Sequence, residues 1–165
     1  LDHPSGRYPM DTAVAQEIQE MLMEVGIEVQ LRSHKWDEYL DFTGQTPQGA
    51  EYDAFLLGWA AMTMDADYAL YPLFHGDQWS PRGNNRGFYQ NDRVDALLDS
   101  AQLEQSSLLR FQMYGEAERI IWTEAPWIFL YNEEQIFAAR KNVAGILYHP
   151  LENVCAWDAY FTDQY

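Results

Sequence analysis

The most informative stretch of this chain is Tyr52-Asp53-Ala54-Phe55-Leu56-Leu57-Gly58-Trp59-Ala60-Ala61-Met62-Thr63-Met64-Asp65-Ala66-Asp67-Tyr68-Ala69-Leu70. Its beginning, Tyr52–Leu57, is an almost unbroken apolar run, which predicts a strand buried on both faces of a sheet. The residues that follow turn at once into polar, aromatic and carboxylate groups. Open α/β sheets bind ligands at the carboxyl ends of their strands. The stretch therefore predicts an α/β fold with a binding site in the loop that begins at Gly58.

Length and composition predict a single domain with one hydrophobic core. The chain has 165 residues, of which 47% are apolar and 15% are aromatic, and such a chain can bury a core of its own. The 10 basic and 26 acidic residues give a formal net charge of −16. That charge argues against nucleic acid and anionic membrane surfaces as partners, because like charges repel. The simplest interpretation of the excess is a solvated acidic coat.

The sequence contains no motif that indicates a metal or a cofactor. Cys155 is its single cysteine, which excludes an internal disulfide framework and paired-cysteine motifs. The histidines are scattered without the spacing of metal ligands: His3, His34, His75 and His149. Serine nucleophile elbows and phosphate-binding glycine loops are absent. We therefore predict neither a metal nor a cofactor.

The first part of the chain predicts a helix, a strand and a second helix. Apolar residues recur with the 3.6-residue period after Asp11 or Thr12, either of which can cap the helix. Gly26 stands where a left-handed residue ends a helix. Alternation over Ile27–Leu31 predicts a strand with one solvated face. Ser33 then predicts the cap of a short helix.

The segment Leu1–Pro9 leads straight into the first of these helices. A helix that runs into the strand Ile27–Leu31 is normally preceded by the first strand of a βαβ unit. We therefore predict that this first strand lies upstream of the chain.

Three further helices are expected in the second part. A short one covers Tyr68–Phe74 and is interrupted by Pro72. A second is capped by Asn91 and has four apolar residues on one face: Val94, Leu97, Leu98 and Ala101. A third begins at Ser106 or Ser107 and continues through Tyr114, Ala117, Ile120 and Ile121. The third ends at Pro126, because the residue before a proline avoids the helical conformation. Continuous or alternating apolar runs predict strands at the following positions: Trp127–Tyr131, Ile136–Ala139 and Ile146–Tyr148.

The loop after the central strand carries the first candidate site residues. Trp59 can stack on a peptide bond, a ring or a cation, although a large aromatic side chain can equally belong to the core. Asp65 and Asp67 can pair with an amino group, or can simply cap the helix that follows. A general acid and base pair is a third interpretation, but two neighbouring carboxylates are common outside enzymes.

A second cluster, Asn84-Asn85-Arg86, follows in the irregular segment His75–Gly87. Arg86 has the guanidinium geometry that binds a carboxylate through two hydrogen bonds. Asn85 beside it can bind ligand or serve the turn. His75 is the histidine nearest to the predicted site. Arg86 is the residue that we expect first to bind an anionic ligand.

Several stretches in fixed order resemble the C-terminal lobe of the extracytoplasmic solute-binding proteins that supply ABC importers of peptides, glutathione and nickel. The resemblance covers most of the chain: Ala13–Leu40, Tyr52–Trp59, Asn84–Leu98, Arg110 with Tyr114 and Ala117, and Glu124-Ala125-Pro126-Trp127. Two stretches look most similar to the glutathione-binding subgroup: Asp65–Phe74 and Ile121–Trp127.

The resemblance implies the architecture and the partners. It implies an α/β lobe with a mixed sheet flanked by helices, belonging to a two-lobe, type II periplasmic-binding-protein fold. Residues 1–165 form a single domain and cover most of the C-terminal lobe, with a first lobe and a signal sequence upstream. Hinge closure traps a small peptide-like solute, and the closed form docks on a membrane permease coupled to an ATPase. The protein is expected in the periplasm or outside the cell, tethered to the membrane, and is not an enzyme.

One position departs from the pattern of this family. Peptide-binding members commonly carry an aspartate three residues after the tryptophan, where it pairs with the ligand's amino group, and this chain has Met62 there. A buried ammonium without a counter-charge is costly. We therefore include Met62 and the adjacent Thr63 in the predicted ligand set and do not expect an ordinary dipeptide site.

Alternatives to a peptide-binding lobe remain at this point. A nickel-binding or oligosaccharide-binding member of the same family would share the fold. A hydrolase domain would use Asp65 and Asp67. A protein interaction module would use the acidic face, and its binding would weaken with added salt.

Overall fold

The chain begins with a parallel βαβ unit. The computed structural model describes residues 1–134, 136–149, 151 and 153–162. In it, β1 (Asp2–Ser5) pairs in parallel with β2 (Arg32–Lys35), and α1 (Asp11–Glu24) connects them. The first strand of the unit therefore lies within the chain. The prediction that this strand lies upstream is wrong.

The carboxylate of Asp2 sets the register of the two strands. Asp2 lies opposite Arg32 and is 0% exposed. Its Oδ2 accepts a hydrogen bond of 2.8 Å from Arg32 Nη2, and its Oδ1 lies 2.7 Å from His34 Nε2. A buried charge is costly unless it is paired. This pairing holds β2 at a register that brings Arg32 and His34 to Asp2.

The prediction of a strand at Ile27–Leu31 is wrong, because β1 pairs with the segment that follows these residues. The structure has no strand over these residues, and β2 begins immediately after them at Arg32. An alternating pattern identifies residues that can form a strand, but a strand exists only where a partner supplies hydrogen bonds. Here β1 pairs with the more polar segment, which carries Arg32 and His34, the side-chain partners of Asp2.

α1 ends as the sequence predicts. Gly26 has φ +84°, its N–H donates to Met23 O at 3.0 Å, and the Ile27 N–H donates to Leu22 O at 2.9 Å. These two bonds form a Schellman motif, which favours glycine because of the left-handed backbone. The prediction of Gly26 as the terminating residue is confirmed.

The start of α1 differs from the expected cap. Met10 occupies the N-cap position without a side-chain hydrogen bond. The buried Asp11 carboxylate instead accepts backbone N–H groups from Arg7, Tyr8 and Thr12, at 3.0, 3.3 and 2.8 Å. Asp11 therefore ties the loop before the helix to the helix itself.

α2 (Trp36–Thr43) forms where a short helix was predicted, but Lys35 is its N-cap residue. The predicted cap, Ser33, is wrong because that residue lies in β2. On α2, Tyr39 is 0% exposed, and its hydroxyl donates to Asp2 O at 3.1 Å and Leu56 O at 2.8 Å. The helix is thereby fastened to the β1 edge.

Tyr52–Leu57 runs beside β1 as an extended segment. The Leu56 N–H donates to Asp2 O, and the Asp2 N–H donates to Ala54 O, both at 2.9 Å. These two hydrogen bonds form a single parallel β-bridge, between Asp2 and Phe55. The prediction of a strand buried on both faces is wrong, since no second strand lies beside this segment in the described part of the chain. Its direction still matches β1, so the carboxyl ends of both meet at one edge.

Three helices form the main core: α3 (Ala66–Phe74), α4 (Asp92–Leu103) and α5 (Ser107–Glu124). A 3₁₀ turn at Gly76–Gln78 follows α3. The buried cluster comprises Leu73, Phe74, Val94, Leu97, Leu98, Ala101, Tyr114, Ala117 and Ile121. The apolar residues predicted for α4 and α5 all belong to this cluster except Ile120, which is partly buried and packs against it.

The predicted caps of α4 and α5 are confirmed. Asn91 Oδ1 accepts from the N–H groups of Arg93 and Val94, and Ser106 Oγ accepts from Leu109 N–H at 3.5 Å. Ala125, the residue before Pro126, has φ +47° and ends α5. These local rules act between neighbours in sequence, and they held here.

The C-terminal part contains short antiparallel pairs. β3 (Val143–Ala144) pairs with β6 (Tyr160–Phe161), and β4 (Leu147–His149) pairs with β5 (Asn153–Cys155). β4 confirms the predicted strand Ile146–Tyr148 to within one residue. With both parallel and antiparallel pairs next to helices, the α/β class is confirmed, although the strands described form three separate two-stranded sheets.

The strands predicted at Trp127–Tyr131 and Ile136–Ala139 are wrong. Ile128 is 73% exposed and Ile136 is 90% exposed. An apolar run indicates a tendency to be buried, whereas a strand also requires a pairing partner. Within the described residues, neither segment has one.

Leu98 and Leu103 provide a matched test of the core on α4. Leu98 is 0% exposed and Leu103 is 85% exposed. Leu98→Ala is expected to lower the free energy of unfolding by about 2–5 kcal/mol, because it removes buried surface and leaves a cavity. Leu103→Ala should change it by no more than about 0.5 kcal/mol. Urea denaturation measures both, and equal losses would contradict the packing of α4.

We expect the Asp11 carboxylate to make the free energy of unfolding depend on pH. Burial acts to raise the pKa of its carboxyl, but the N–H groups of Arg7, Thr12 and Tyr8 outweigh burial and hold the pKa below its ordinary 3.8. The pKa of Asp11 is lower in the folded state than in the unfolded state. The contribution of Asp11 to the free energy of unfolding is therefore complete above the unfolded-state pKa and is lost as the pH falls through the folded-state pKa.

Asp11→Asn is therefore expected to destabilise the protein near neutral pH, with the difference from wild type shrinking as the pH falls below 3.8. Urea denaturation at a series of pH values checks this. Glu20→Gln removes an exposed charge from the same helix and is the control. A pH-independent effect of Asp11→Asn would show that the ionised carboxylate is not what matters.

Candidate functional site

A cleft opens where the carboxyl end of β1 meets that of the Tyr52–Leu57 segment. It spans about 520 Å³ of space that is open to solvent, and a narrower pocket beside it shares part of its wall. The cleft is lined by Arg7, Tyr8, Trp36, Leu40, Leu57, Gly58, Trp59, Leu73, Asn84 and Arg86. The cleft therefore lies at the strand-end edge, beside the loop in which the sequence predicts a site.

A hydrogen bond to the Tyr68 carbonyl holds Trp59 in the wall of the cleft, and this carbonyl is free to accept it because residue 72 is a proline. A residue at position 72 would normally donate its N–H to the Tyr68 carbonyl, but proline has no N–H. The Trp59 indole Nε1–H donates to that carbonyl at 2.9 Å instead. The two rings also stack, with centroids 5.6 Å apart and planes at 25°. Trp59 thus presents a fixed aromatic surface to the cleft.

Tyr8 packs across Gly58 on the opposite chain segment. The Gly58 N–H donates to the Tyr8 hydroxyl oxygen at 2.9 Å. A Cβ at Gly58 would lie 3.1 Å from the Tyr8 ring, which is closer than ordinary contact. Glycine is needed here for close approach, and the Tyr8 hydroxyl keeps its own proton to donate.

Arg86 lies half-buried in the same wall. Its Nη1 donates to Leu40 O at 3.0 Å and to Thr43 Oγ1. Burial lowers the pKa of its guanidinium from the ordinary value, because desolvation penalises the charged form. Among the described residues no carboxylate forms an ion pair with Arg86. The rest of the guanidinium is available to an anionic group.

Asp65 and Asp67 bond to their own chain. Asp65 accepts two hydrogen bonds from Arg110, at 2.8 and 2.7 Å, and caps α3 through the N–H of Asp67 at 2.8 Å. Arg110 holds the pKa of the Asp65 carboxyl below its usual range. A carboxyl kept ionised in this way is unsuited to act as a general acid. Asp67 accepts from Tyr114 Oη at 3.2 Å and from Gln102 Nε2 at 2.9 Å.

Asn85 and His75 lie behind the cleft and do not line it. Asn85 is 1% exposed, and its side chain donates to the carbonyls of His75 and Tyr89 and accepts the Tyr89 N–H. His75 stacks on Tyr71 with ring centroids 4.4 Å apart, and its Nδ1 accepts the Asp77 N–H. Both side chains shape the segment that carries Arg86.

Met62 and Thr63 stand at the tip of the loop after Trp59. Both are exposed, Met62 by 56%. Neither lines the cleft. Of the predicted candidates, the structure therefore brings Trp59, Asn84 and Arg86 together at one cleft and places the others around it.

Three residues of the cleft lining, Arg7, Tyr8 and Trp36, are not among the candidates predicted from the sequence. Arg7 and Tyr8 follow β1, which the sequence pattern does not identify as a strand, and nothing in the sequence distinguishes Trp36 from the other tryptophans. The strand-end rule that selected Trp59 would have selected Arg7 and Tyr8 as well, once Asp2–Ser5 was identified as a strand.

A double-mutant cycle tests the bond between Trp59 and Tyr68. Trp59→Phe keeps an aromatic ring but leaves the partly buried Tyr68 carbonyl without a donor, which should cost about 1–3 kcal/mol of unfolding free energy. In a Pro72→Ala background the backbone N–H at position 72 can reach that carbonyl. The cost of Trp59→Phe should then be smaller by about 1 kcal/mol, as measured by urea denaturation. An equal cost in both backgrounds would contradict this account.

The described residues contain neither a metal-binding cluster nor a membrane span. None of their groups of His, Cys, Asp and Glu has three members placed to hold a metal ion. No helix in the same part of the chain has both the length and the apolar character needed to cross a bilayer.

Comparison with known proteins identifies relatives of this chain. Residues 3–81 match the family of bacterial extracellular solute-binding proteins, family 5, middle region. The glutathione-binding protein GsiB of Escherichia coli K12 is 35% identical over 140 residues, and that of Salmonella typhi is 34% identical. Each alignment covers 83% of this chain and 27% of the relative. The chain thus spans about a quarter of the length of the curated relatives it matches.

Solved structures show the same fold. The oligopeptide-binding protein AppA of Bacillus subtilis, in complex with a nonapeptide, aligns with a TM-score of 0.81 at 24% identity, over 98% of this chain and 31% of that one. The periplasmic binding protein DppA of Helicobacter pylori, in complex with the peptide STSA, aligns with a TM-score of 0.66 at 31% identity, over 76% and 23%. The predicted periplasmic-binding-protein fold is confirmed. Residues 3–81 of this chain belong to the middle region of the bacterial extracellular solute-binding proteins of family 5.

Proposed function

We propose that this chain is one lobe of the solute-binding component of an ABC importer, and that its solute is a glutathione-like or other small peptide. The observation that carries the proposal is Arg86, a half-buried guanidinium at the cleft with no carboxylate partner among the described residues. Peptides end in a carboxylate, which binds arginine through two parallel hydrogen bonds. The glutathione-binding relatives support the same class of solute.

The aromatic wall supports a peptide as ligand. Trp59 and Tyr8 are both tied to neighbouring backbone, by hydrogen bonds of 2.9 Å in each case. Trp36 joins them in the lining. Solute sites are mostly apolar surfaces with a few polar groups that fix orientation. In this cleft the rings contact the backbone and side chains of the solute, and Arg86 orients it.

The other predicted site residues act at the edge of the site or behind it. Met62 and Thr63 are exposed at the loop tip, where they meet the solute or the second lobe on closure. Their neighbours Asp65 and Asp67 fix the base of that loop through Arg110 and Tyr114. Asn85 and His75, already used within their own segment, hold Arg86 in place.

The mechanism is binding without a chemical step. Hinge closure against a second lobe traps the solute, and the closed form docks on the permease and its ATPase. This mechanism places the protein in the periplasm or outside the cell, tethered to the membrane. The solute-binding relatives support an assignment as a non-enzyme.

Arg86→Gln in the full-length protein tests the proposal. Glutathione, dipeptides and tripeptides are titrated by calorimetry, and at least one is expected to bind wild type. Arg86→Gln should raise the Kd about tenfold or more, because it removes a charged donor from a partly desolvated site. Arg82→Gln is the matched control, since Arg82 lies in the same segment but is 74% exposed and outside the lining. The Tm of each variant without ligand separates loss of binding from loss of folding.

Unchanged affinity in Arg86→Gln would contradict the assigned role of this arginine. Binding of nickel or of cello-oligosaccharides, with no binding of peptides, would replace the peptide by one of these solutes. Turnover of a chromogenic ester or glycoside would overturn the assignment as a non-enzyme.

A further inference from the structure

The charge of the cleft is opposite to that of the chain. The sequence has 26 acidic and 10 basic residues. Within the part of the chain that the structure describes, the cleft lining nevertheless contains two arginines, Arg7 and Arg86, and no aspartate or glutamate. A cleft lined by one sign of charge attracts ligands of the other sign. The positive lining is therefore a property of this site and not of the composition.

Arg7 stands on a loop that the fold holds in place. The Asp11 carboxylate accepts the backbone N–H groups of Arg7 and Tyr8 at 3.0 and 3.3 Å. The Tyr8 ring packs on Gly58 across the cleft. A loop fixed at both its backbone and its side chain can present Arg7 with little loss of entropy on binding.

The Arg7 guanidinium lies against aromatic rings. Its Cζ is 4.9 Å from the ring centroid of Tyr8 and 5.2 Å from that of Trp36. Both rings line the cleft with it. Arg7 forms no ion pair with a carboxylate of the described residues. The rings position the cation and leave its N–H groups to a ligand.

Both arginines act on Tyr8. Burial raises the pKa of the Tyr8 hydroxyl, and the charges of Arg7 and Arg86 oppose that rise. Glu133 acts in the direction of burial, but it does not line the cleft. The two guanidiniums therefore reach the same part of the site from different chain segments.

We propose that Arg7 is a second anion-binding residue, and that Arg7 and Arg86 together make the cleft select peptides that carry at least two carboxylates. Tyr8 donates its hydroxyl proton to one of them. This inference rests on the proposed peptide-binding function and adds the charge of the ligand to it. A peptide with one carboxylate occupies Arg86 and leaves Arg7 without a partner.

A pair of tripeptides isolates the second carboxylate. Ala-Glu-Ala and Ala-Gln-Ala have nearly the same shape and differ by one charge. Their Kd values are measured by calorimetry on the full-length protein, at low and at high salt. Wild type should bind Ala-Glu-Ala about fivefold more tightly at low salt, which is the upper range for a solvent-accessible ion pair. The preference should shrink at high salt, because exposed charges are screened.

Arg7→Gln should bring the two affinities to within about twofold of each other, and Arg7→Lys should keep most of the preference because it keeps the charge. Arg119→Gln is the control, since it removes one exposed positive charge from α5, outside the cleft. The preference should be unchanged in that variant.

Each remaining outcome overturns a definite statement. Equal affinities of wild type for the two peptides, or a preference that survives in Arg7→Gln, would overturn the role of Arg7 while leaving the peptide-binding function intact. Loss of the preference in Arg119→Gln would assign it to overall charge instead of Arg7. Failure of every peptide, glutathione included, to bind wild type would overturn the proposed function and this inference with it.

Discussion

The buried carboxylate of Asp2 is the constraint on which the first half of the structure depends. Its side chain pairs with Arg32 and His34, and its backbone bonds to the extended segment around Phe55. An ionised carboxylate inside a protein is tolerated only when such partners surround it. Three chain segments are thereby brought side by side. The cleft opens at the edge where β1 and the Phe55 segment end, so the position of the site follows from that pairing.

Charged side chains that stabilise the fold have partners within the chain, whereas those proposed to bind a ligand have no carboxylate partner among the described residues. Asp65 is paired with Arg110, and Asp11 is satisfied by backbone N–H groups. Both are carboxylates that stabilise loops. Arg7 and Arg86 have no such partners within the described residues. In a chain with so many acidic residues, an arginine that has no carboxylate partner is a more specific indication of a ligand site than a carboxylate is.

Helices were easier to predict than strands, for a physical reason. The spacing of Val94, Leu97, Leu98 and Ala101 identified the buried face of α4, and Asn91 identified its cap. Both signals act within a few residues of sequence. The apolar segment Tyr52–Leu57 forms one bridge, whereas the polar segment Arg32–Lys35 forms a strand. Pairing depends on a distant partner, and alternation within one segment does not reveal where that partner lies.

Some features of this protein follow from its sequence alone: the α/β class, the positions of the helices, the caps of α4 and α5, and Trp59 and Arg86 as candidate site residues. They depend on local periodicity, capping chemistry and the side chains found near the end of a strand. Other features depend on the tertiary structure: the pairing of β1 with β2, the Tyr68 carbonyl that Pro72 leaves for Trp59, and the position of Arg7 and Tyr8 in the same cleft as Arg86. Each of these depends on contacts between residues far apart in sequence, and their energies are set by burial and pairing in three dimensions.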